Sequence, residues 1–313
     1  LNEKGEIVSS FQPYIEGPNY VENNNFGWTF FGDDELVAYG RVYFHRLSKD
    51  GTRLQRMEYP VQPRGWVMLE YNPQMIESVS PMGNENMLLA MIPGVVRMSQ
   101  RDQSVQDTTS IMFVMDFKTG SYERVLRRPE ESLYRTSGTY YGMGVPLIKR
   151  LDKSTLAVTY AADTSLFIYD LSKDEFVRRI TVPTIFQPVV IPASFESNDS
   201  PKEESVTSRL FSTGEQIILE HMGQIPEEVY EQIMKLDRWW ESPELEAAAK
   251  QYMKRKYSLY SSEKFLGEID WTIEESFLNG LNTESGFLWL QRSYKDERDY
   301  RTFLKVKIVP AEE

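Results

Sequence analysis

The stretch that decides the fold is Leu166–Pro183, LFIYDLSKDEFVRRITVP. Leu166, Phe167, Ile168 and Tyr169 form an unbroken apolar run, as a strand buried on both faces requires. Ser172-Lys173-Asp174 supplies a polar turn. Phe176, Ile180 and Val182 then rebuild an apolar pattern that Arg178 and Arg179 interrupt, as charges do at a sheet edge. Pro183 has no N–H for a ladder and closes the phrase. Upstream, VPLIKRL running to Asp152 and Thr155–Ala161 read as two more strands, separated by Asp152-Lys153-Ser154 and followed by Ala162-Asp163-Thr164. Four strands on three short turns predict an antiparallel meander.

The phrase recurs. Val42–Pro60, VYFHRLSKDGTRLQRMEYP, repeats the Leu-Ser-Lys-Asp turn and ends in proline, and Ile111–Pro129, IMFVMDFKTGSYERVLRRP, has the same plan. Leu1–Pro13 reads as the tail of another copy, and Tyr257–Trp271 as a copy without its proline. Repetition at this uneven spacing predicts an all-β chain, a β-propeller of four-stranded antiparallel blades. Blades are expected at 26–60, 72–128, 139–183 and 205–271, with a fifth from Ile273–Leu281, Gly286–Ser293 and Arg301–Val309. Glu6–Phe11 would complete that fifth blade. Five blades are visible, and a sixth would need sequence upstream of Leu1. The reading treats 1–313 as a single propeller domain; a chain of β-sandwiches is the rival, and the shared LSKD turns favour the propeller.

One segment breaks the β pattern: residues 224–257 are expected to form a helical hairpin inserted in a blade. Pro226-Glu227-Glu228 starts a first helix with Val229, Ile233, Leu236 and Trp240 on its apolar stripe. Ser242-Pro243 caps a second, whose stripe is Leu245, Ala248, Ala249 and Tyr252. Glu246 and Lys250 add an i,i+4 pair. Asn198–Glu204 is the most linker-like stretch.

Composition excludes several function classes. An apolar content of 41% is too high for disorder. Forty-seven acids against 35 lysines and arginines give a net charge of −12, which repels a phosphate backbone and argues against nucleic acid. With no cysteine there is no disulfide, thiol nucleophile or cysteine-held metal. No apolar run is long enough to span a bilayer as a helix.

Catalytic and metal motifs do not emerge, so no catalytic, metal or cofactor residues are assigned. His45 and His221, the only two histidines, are read as structural groups near strand ends. No HExxH, EF-hand or Walker loop is present. Asp33-Asp34-Glu35 fall in a first-to-second-strand turn, and Glu16, Glu22, Glu130, Glu131 and Glu196 fall in longer loops. Paired carboxylates would be the only enzymatic option, as in a glycosidase.

Loop length places the expected binding face. The third-to-fourth-strand turns, Ser48–Gly51, Lys118–Ser121 and Ser172–Asp174, are all tight. The opposite ends carry the crossings after each proline, the excursion Pro93–Thr109 and the helical hairpin. Long loops on a rigid scaffold are where binding groups gather. The candidate ligand-binding residues are Arg64, Trp66, Tyr134, Arg135, Tyr140, Tyr141 and Trp239. Trp240 is expected in the helical core, leaving Trp239 as the contact residue.

Phe167–Pro183 and the terminal run Asp299-Tyr300-Arg301-Thr302-Phe303 into Lys305-Val306-Lys307-Ile308 resemble the six-bladed, TolB-like propellers of Bacteroidetes-type cell-envelope lipoproteins, a domain-of-unknown-function family. The resemblance implies six blades, export and a lipid anchor. The functional expectation is a non-catalytic binding or scaffold protein of the cell envelope, periplasmic or an outer-membrane lipoprotein. It would recognise a protein, peptide or glycan on the long-loop face, with no nucleic-acid partner. A carbohydrate-active enzyme is the alternative function, and the cytoplasm the alternative location.

Overall fold

The computed structural model describes residues 16–22, 27–32, 34–40, 42–59, 76–79, 87–91, 101–213, 216–270, 276–278, 288–292 and 302–309. They fall into two compact units. The first is Leu1–Arg97 with Thr109–Arg127 and Leu171–Asp174; the second is Met98–Thr108, Arg128–Asp170 and Glu175–Glu313.

The first unit holds two antiparallel sheets with strands in chain order. One comprises β1 (Gly27–Phe30), β2 (Glu35–Tyr39), β3 (Tyr43–Ser48) and β4 (Arg53–Glu58), the other β5 (Ile76–Val79), β6 (Met87–Ala90), β7 (Ser110–Asp116) and β8 (Tyr122–Arg127). Val37, Ala38, Phe44, Phe113 and Val114 are buried. The Phe31 ring meets the edge of Phe117 at 5.2 Å, and Gln55 Nε2 donates to the Phe117 carbonyl at 2.6 Å. The tight turns are built by their aspartates. Asp50 accepts from the Thr52 amide at 3.1 Å, and Asp116 from the Lys118 amide at 2.7 Å and the Thr119 hydroxyl at 2.8 Å. Gly51 and Gly120 supply the positive φ these turns need.

The second unit opens with the meander anticipated from Leu166–Pro183. β9 (Pro146–Arg150), β10 (Thr155–Tyr160), β11 (Ser165–Asp170) and β12 (Glu175–Thr181) pair in sequence. The continuous apolar run of β11 is buried, whereas β12 exposes Val177, Arg178 and Arg179 and buries Ile180. The next sheet contains β13 (Val189–Ile191), β14 (Lys202–Ser212), β15 (Gln216–Gly223), β16 (Arg255–Ser261) and β17 (Phe265–Ile269). It has one strand more than its sequence pattern predicts. β14 is eleven residues long; its first residues, Lys202–Glu204, overshoot β15, and Lys202, Glu203 and Ser205 pair with β13. Thus Lys202–Glu204, expected as linker, are strand. The last sheet has β18 (Ser276–Leu278), β19 (Leu288–Arg292) and β20 (Phe303–Val306). The expected closing strand, Glu6–Phe11, lies outside the described residues.

Neighbouring sheets of this unit stack through their apolar faces. Leu147, Leu166, Ile168 and Ile180 pack with Leu210, Ile217, Leu219 and Tyr260, while Phe211, Ile218 and Tyr257 pack with Leu288 and Leu290. The alternation of Ile217, Ile218 and Leu219 sends successive side chains to the two opposite layers. Each such aliphatic side chain stabilises the fold by about 1.5–3 kcal/mol through burial.

The helical insertion lies between β15 and β16. Other helices are α1 (Gln103–Thr108) and α2 (Leu133–Thr136); the insertion contains α3 (Glu227–Met234) and α4 (Pro243–Tyr252). Ser242 caps α4 by accepting from the Leu245 amide at 3.1 Å, and Glu246 pairs with Lys250 at 3.0 Å. Gly223 sits where the chain leaves β15, and a Cβ there would collide with the returning carbonyl of Tyr252. The α3 stripe ends early. The helix stops at Met234, so Leu236 and Trp240 do not continue it and are 40% and 59% exposed. Trp240 is therefore not core, which corrects the sequence expectation. Among the described residues no helix is long and apolar enough to cross a membrane.

Candidate functional site

The site is assembled at the ends of the second unit's strands where the chain makes its longer connections. It starts from Arg128, placed immediately before Pro129 and only 2% exposed. Arg128 Nη1 donates to the Gln106 carbonyl at 3.0 Å, and Nη2 to the carbonyls of Met143 and Gly144 at 2.7 and 3.1 Å. Its guanidinium also lies over the Tyr134 ring at 5.5 Å and 6.0 Å from that of Tyr160. One fork of donors thus ties α1, the start of the 128–145 crossing and its far end. Burial lowers its pKa from the ordinary arginine value. Gly144 is required by this packing: its φ is +58°, and a Cβ would come within 2.8 Å of Arg128 Nη2 and the Tyr134 ring.

Ser132 caps α2 by accepting from the Tyr134 amide at 3.3 Å, and its hydroxyl donates to Asp163 Oδ2 at 2.5 Å. Asp163 lies in the β10–β11 turn and is fully buried. Burial raises its pKa to about 6, although hydrogen bonds from Ser132 and the Thr164 amide favour the charged form. Tyr134 is 3% exposed and packs 5.6 Å from Tyr160 and 5.9 Å from Tyr141, and its hydroxyl accepts from the Ala162 amide at 3.4 Å. Burial pushes both Tyr134 and Tyr160 well above the usual phenol pKa, so both are neutral.

Among the described residues, several buried polar atoms here meet no hydrogen-bonding partner: Arg128 Nε, Tyr160 Oη, Asp163 Oδ1, Gln103 Oε1 and both amide atoms of Gln106. Buried polar atoms are nearly always satisfied, by protein groups or by ordered water, so these are left for water or another molecule to meet. The more accessible members surround it in the chain. Arg135 Nη1 donates to the Arg128 carbonyl at 3.1 Å, and its Nε is 3.8 Å from Asp107. Arg101 stacks over the Tyr140 ring at 4.7 Å and donates to the Asn198 carbonyl at 3.1 Å. Tyr140 pairs by backbone with Ala193 and packs 5.8 Å from Phe195.

Of the residues singled out by sequence, Tyr134, Arg135, Tyr140 and Tyr141 belong to this cluster. Tyr134 and Tyr140 (7% exposed) are buried packing groups, while Arg135 and Tyr141 are half-buried. Trp239 is half-buried in the helical insertion, 5.6 Å edge-on from Tyr230. Arg64 and Trp66 lie outside the described residues. Sequence reasoning missed Arg128, Gln106 and Asp163. Arg128 reads as the end of an edge strand and Asp163 as an ordinary turn residue, so only their burial distinguishes them.

Several other ionisable groups have partners of their own. Glu22 accepts from the amides of Val42 and Tyr43 at 3.1 and 3.2 Å and lies 3.5 Å from His45 Nε2. Its pKa is lowered: burial opposes the charge, but His45 and these amides outweigh it. His45 is interior to β3 rather than at a strand end. His221 Nε2 is 2.7 Å from Ser258 Oγ, and burial, aided by Lys256, lowers its pKa to about 4. Ser258 is fully buried, so this His–Ser pair is sealed inside the sheet. Asp34 pairs with Lys49 and Glu35 with Arg46. Among the described residues no three potential metal-ligating side chains cluster.

No family model and no curated protein matches the chain. Solved structures do. A member of the DUF4221 family from Bacteroides vulgatus is similar with a TM-score of 0.63 at 9% identity, over 98% of this chain and 84% of that one. More distant are the Neurospora crassa Pan2 WD40 domain (TM-score 0.38, 8% identity, 84% and 60% of the two chains) and BamB from Moraxella catarrhalis (0.32, 10%, 88% and 62%). At these identities the likeness concerns the fold alone. The fold is an all-β propeller of antiparallel blades with a small helical insertion; among the described residues its five sheets hold, in chain order, four, four, four, five and three strands.

Proposed function

We propose that this protein is a non-catalytic recognition protein, one propeller domain over 1–313, that binds a protein, peptide or glycan through the long-loop end described above. The observation that carries the reading is the Arg128 cluster. A buried cation, stacked tyrosines and unmet hydrogen-bonding atoms gather where connections of the second unit meet, whereas the β9–β10 turn of the same unit is short and closed by Asp152, which accepts from the Ser154 and Thr155 amides at 2.8 Å. Half-buried Arg135 and Tyr141 supply the planar cation and amphipathic ring that recognition surfaces favour. The proposed location is the bacterial cell envelope, as a periplasmic or lipid-anchored protein; it rests on the strand–turn–strand–proline resemblance. The charge of −12 supports a partner other than nucleic acid.

The test is a glycan array and a peptide array probed with the purified protein. For the best hit, Arg135→Ala and Tyr141→Ala should each weaken binding by about tenfold or more, with the urea midpoint little changed. Lys118→Ala and Lys173→Ala, on the short turns, should leave it unaltered. Affinity that follows the turn variants instead would overturn the reading.

A further inference from the structure

We propose that the tip of the helical insertion, Met234, Leu236 and Trp240, is a docking surface for a partner protein that offers an apolar cleft rimmed by lysine or arginine. This surface is separate from the Arg128 cluster and stands or falls independently of it.

The first observation is exposure. Met234 is 44%, Leu236 40% and Trp240 59% exposed, all within seven residues. Helix α3 buries its stripe only as far as Ile233. Single exposed apolar residues need no explanation, but three large ones gathered at one turn mark an interaction site.

The second is rigidity. Residues 235–242 are bonded at successive steps. The Leu236 amide donates to the Ile233 carbonyl at 3.0 Å, Glu241 to Arg238 at 2.9 Å and Ser242 to Trp239 at 3.1 Å. Arg238 holds a left-handed conformation, φ 50°, and its side chain pairs with Glu241 at 2.6 Å. A non-glycine residue in that region is strained, and such strain concentrates at functional turns. Trp239 packs edge-on to Tyr230 at 5.6 Å and to Trp240 at 6.1 Å, so Trp240 is held up by an aromatic support. At the base, Lys202 pairs with Glu227 at 2.8 Å and the Gln224 amide donates to Glu204 at 2.9 Å. Presenting a tryptophan without ordering cost is what makes an interface anchor strong.

Charge selects the occupant. Residues 227–252 carry seven carboxylates and three cations, and the whole chain carries −12. Around the tip, residues 231–244 carry exposed Glu231, Asp237, Glu241 and Glu244 against exposed Lys235 and Arg238, with Arg238 taken up by Glu241, which leaves the surroundings net acidic. An anionic lipid surface would be repelled, and a second copy would bring like charges together. A basic rim around an apolar cleft complements both features.

A displayed library of random dodecapeptides, selected on the wild-type protein and counter-selected on Trp240→Ala, tests this. The expected survivors combine aliphatic or aromatic residues with lysine or arginine. Their affinity should fall about tenfold or more in Trp240→Ala and in Leu236→Ala. It should be largely retained in Trp240→Phe, and should weaken several-fold between about 0.05 and 0.5 M salt. Because Trp240 is exposed, its alanine variant should keep the wild-type urea midpoint. Neutral or acidic survivors, or equal binding to Trp240→Ala, would overturn the proposal. So would a wild-type dimer in sedimentation that Trp240→Ala dissolves, which would make the occupant a second copy. Binding to phosphatidylcholine–phosphatidylglycerol vesicles that Trp240→Ala abolishes would make it lipid.

Discussion

The Ser132 hydroxyl donates to the buried Asp163 carboxylate at 2.5 Å, joining the cap of α2 to the β10–β11 turn. These residues are 31 apart in sequence, and both are fully buried. The contact fixes the 128–145 crossing against the sheet and so holds Arg128 and Tyr134 in place.

Ser132→Ala should lower the unfolding free energy by about 1–3 kcal/mol, because it removes a cap and leaves a buried carboxylate short of a donor. Urea unfolding at pH 7 measures it. A loss well below that range would mean that Asp163 is solvated in solution.

Asp163 should also leave a mark on pH dependence. Its pKa is raised to about 6 from 3.8. Between those values the folded protein keeps a proton that the unfolded chain has released. Its contribution to stability is therefore complete below about pH 4 and lost as pH rises to about 6. Asp163→Asn removes this dependence. Relative to wild type, the variant should gain about 2–3 kcal/mol between pH 4 and pH 7.

His221 should act in the opposite sense. Its pKa is lowered to about 4 from 6.5, so the unfolded chain takes up a proton first as pH falls. Stability from this group is present above about pH 6.5 and lost on acidification towards pH 4. Across pH 4–6 it offsets Asp163, and these two contributions to the wild-type profile should largely cancel. In His221→Gln stability should fall as pH rises through that window, and in Asp163→Asn it should rise. Urea midpoints at half-unit pH steps distinguish the two.

Arg128→Lys should destabilise by about 3 kcal/mol, since one ammonium cannot reproduce a fork that reaches three carbonyls on two segments. Gly144→Ala should cost about 1–3 kcal/mol through positive φ and collision with the same guanidinium. Thermal unfolding of both variants checks this. If Arg128→Lys is neutral, the fork is not what holds the loops.

The third sheet was legible almost residue by residue. The apolar run Leu166–Tyr169, the turn Ser172–Asp174 and the closing Pro183 are local signals, and the strands lie where they indicate. The helical insertion was legible from its Ser242-Pro243 start. β13 was not, because Val189–Ile191 is only three residues and gains its strand from pairing with the overlong β14. That Trp240 is exposed and Trp239 half-buried was also hidden. It turns on where α3 stops, and the left-handed Arg238 that redirects the chain has no sequence signal of its own.

By itself, then, the sequence determined the all-β class and the strand-and-turn rhythm. These follow from side-chain period and turn chemistry, which act over a few residues. Tertiary structure alone decided which polar groups became buried and met: Arg128 with Gln106 and Gly144, Ser132 with Asp163, Tyr134 with Tyr160. An arginine before a proline or an aspartate in a turn is ordinarily solvated. What set them apart is the packing of distant segments around them, which excludes bulk water and leaves each polar atom to find a partner within reach.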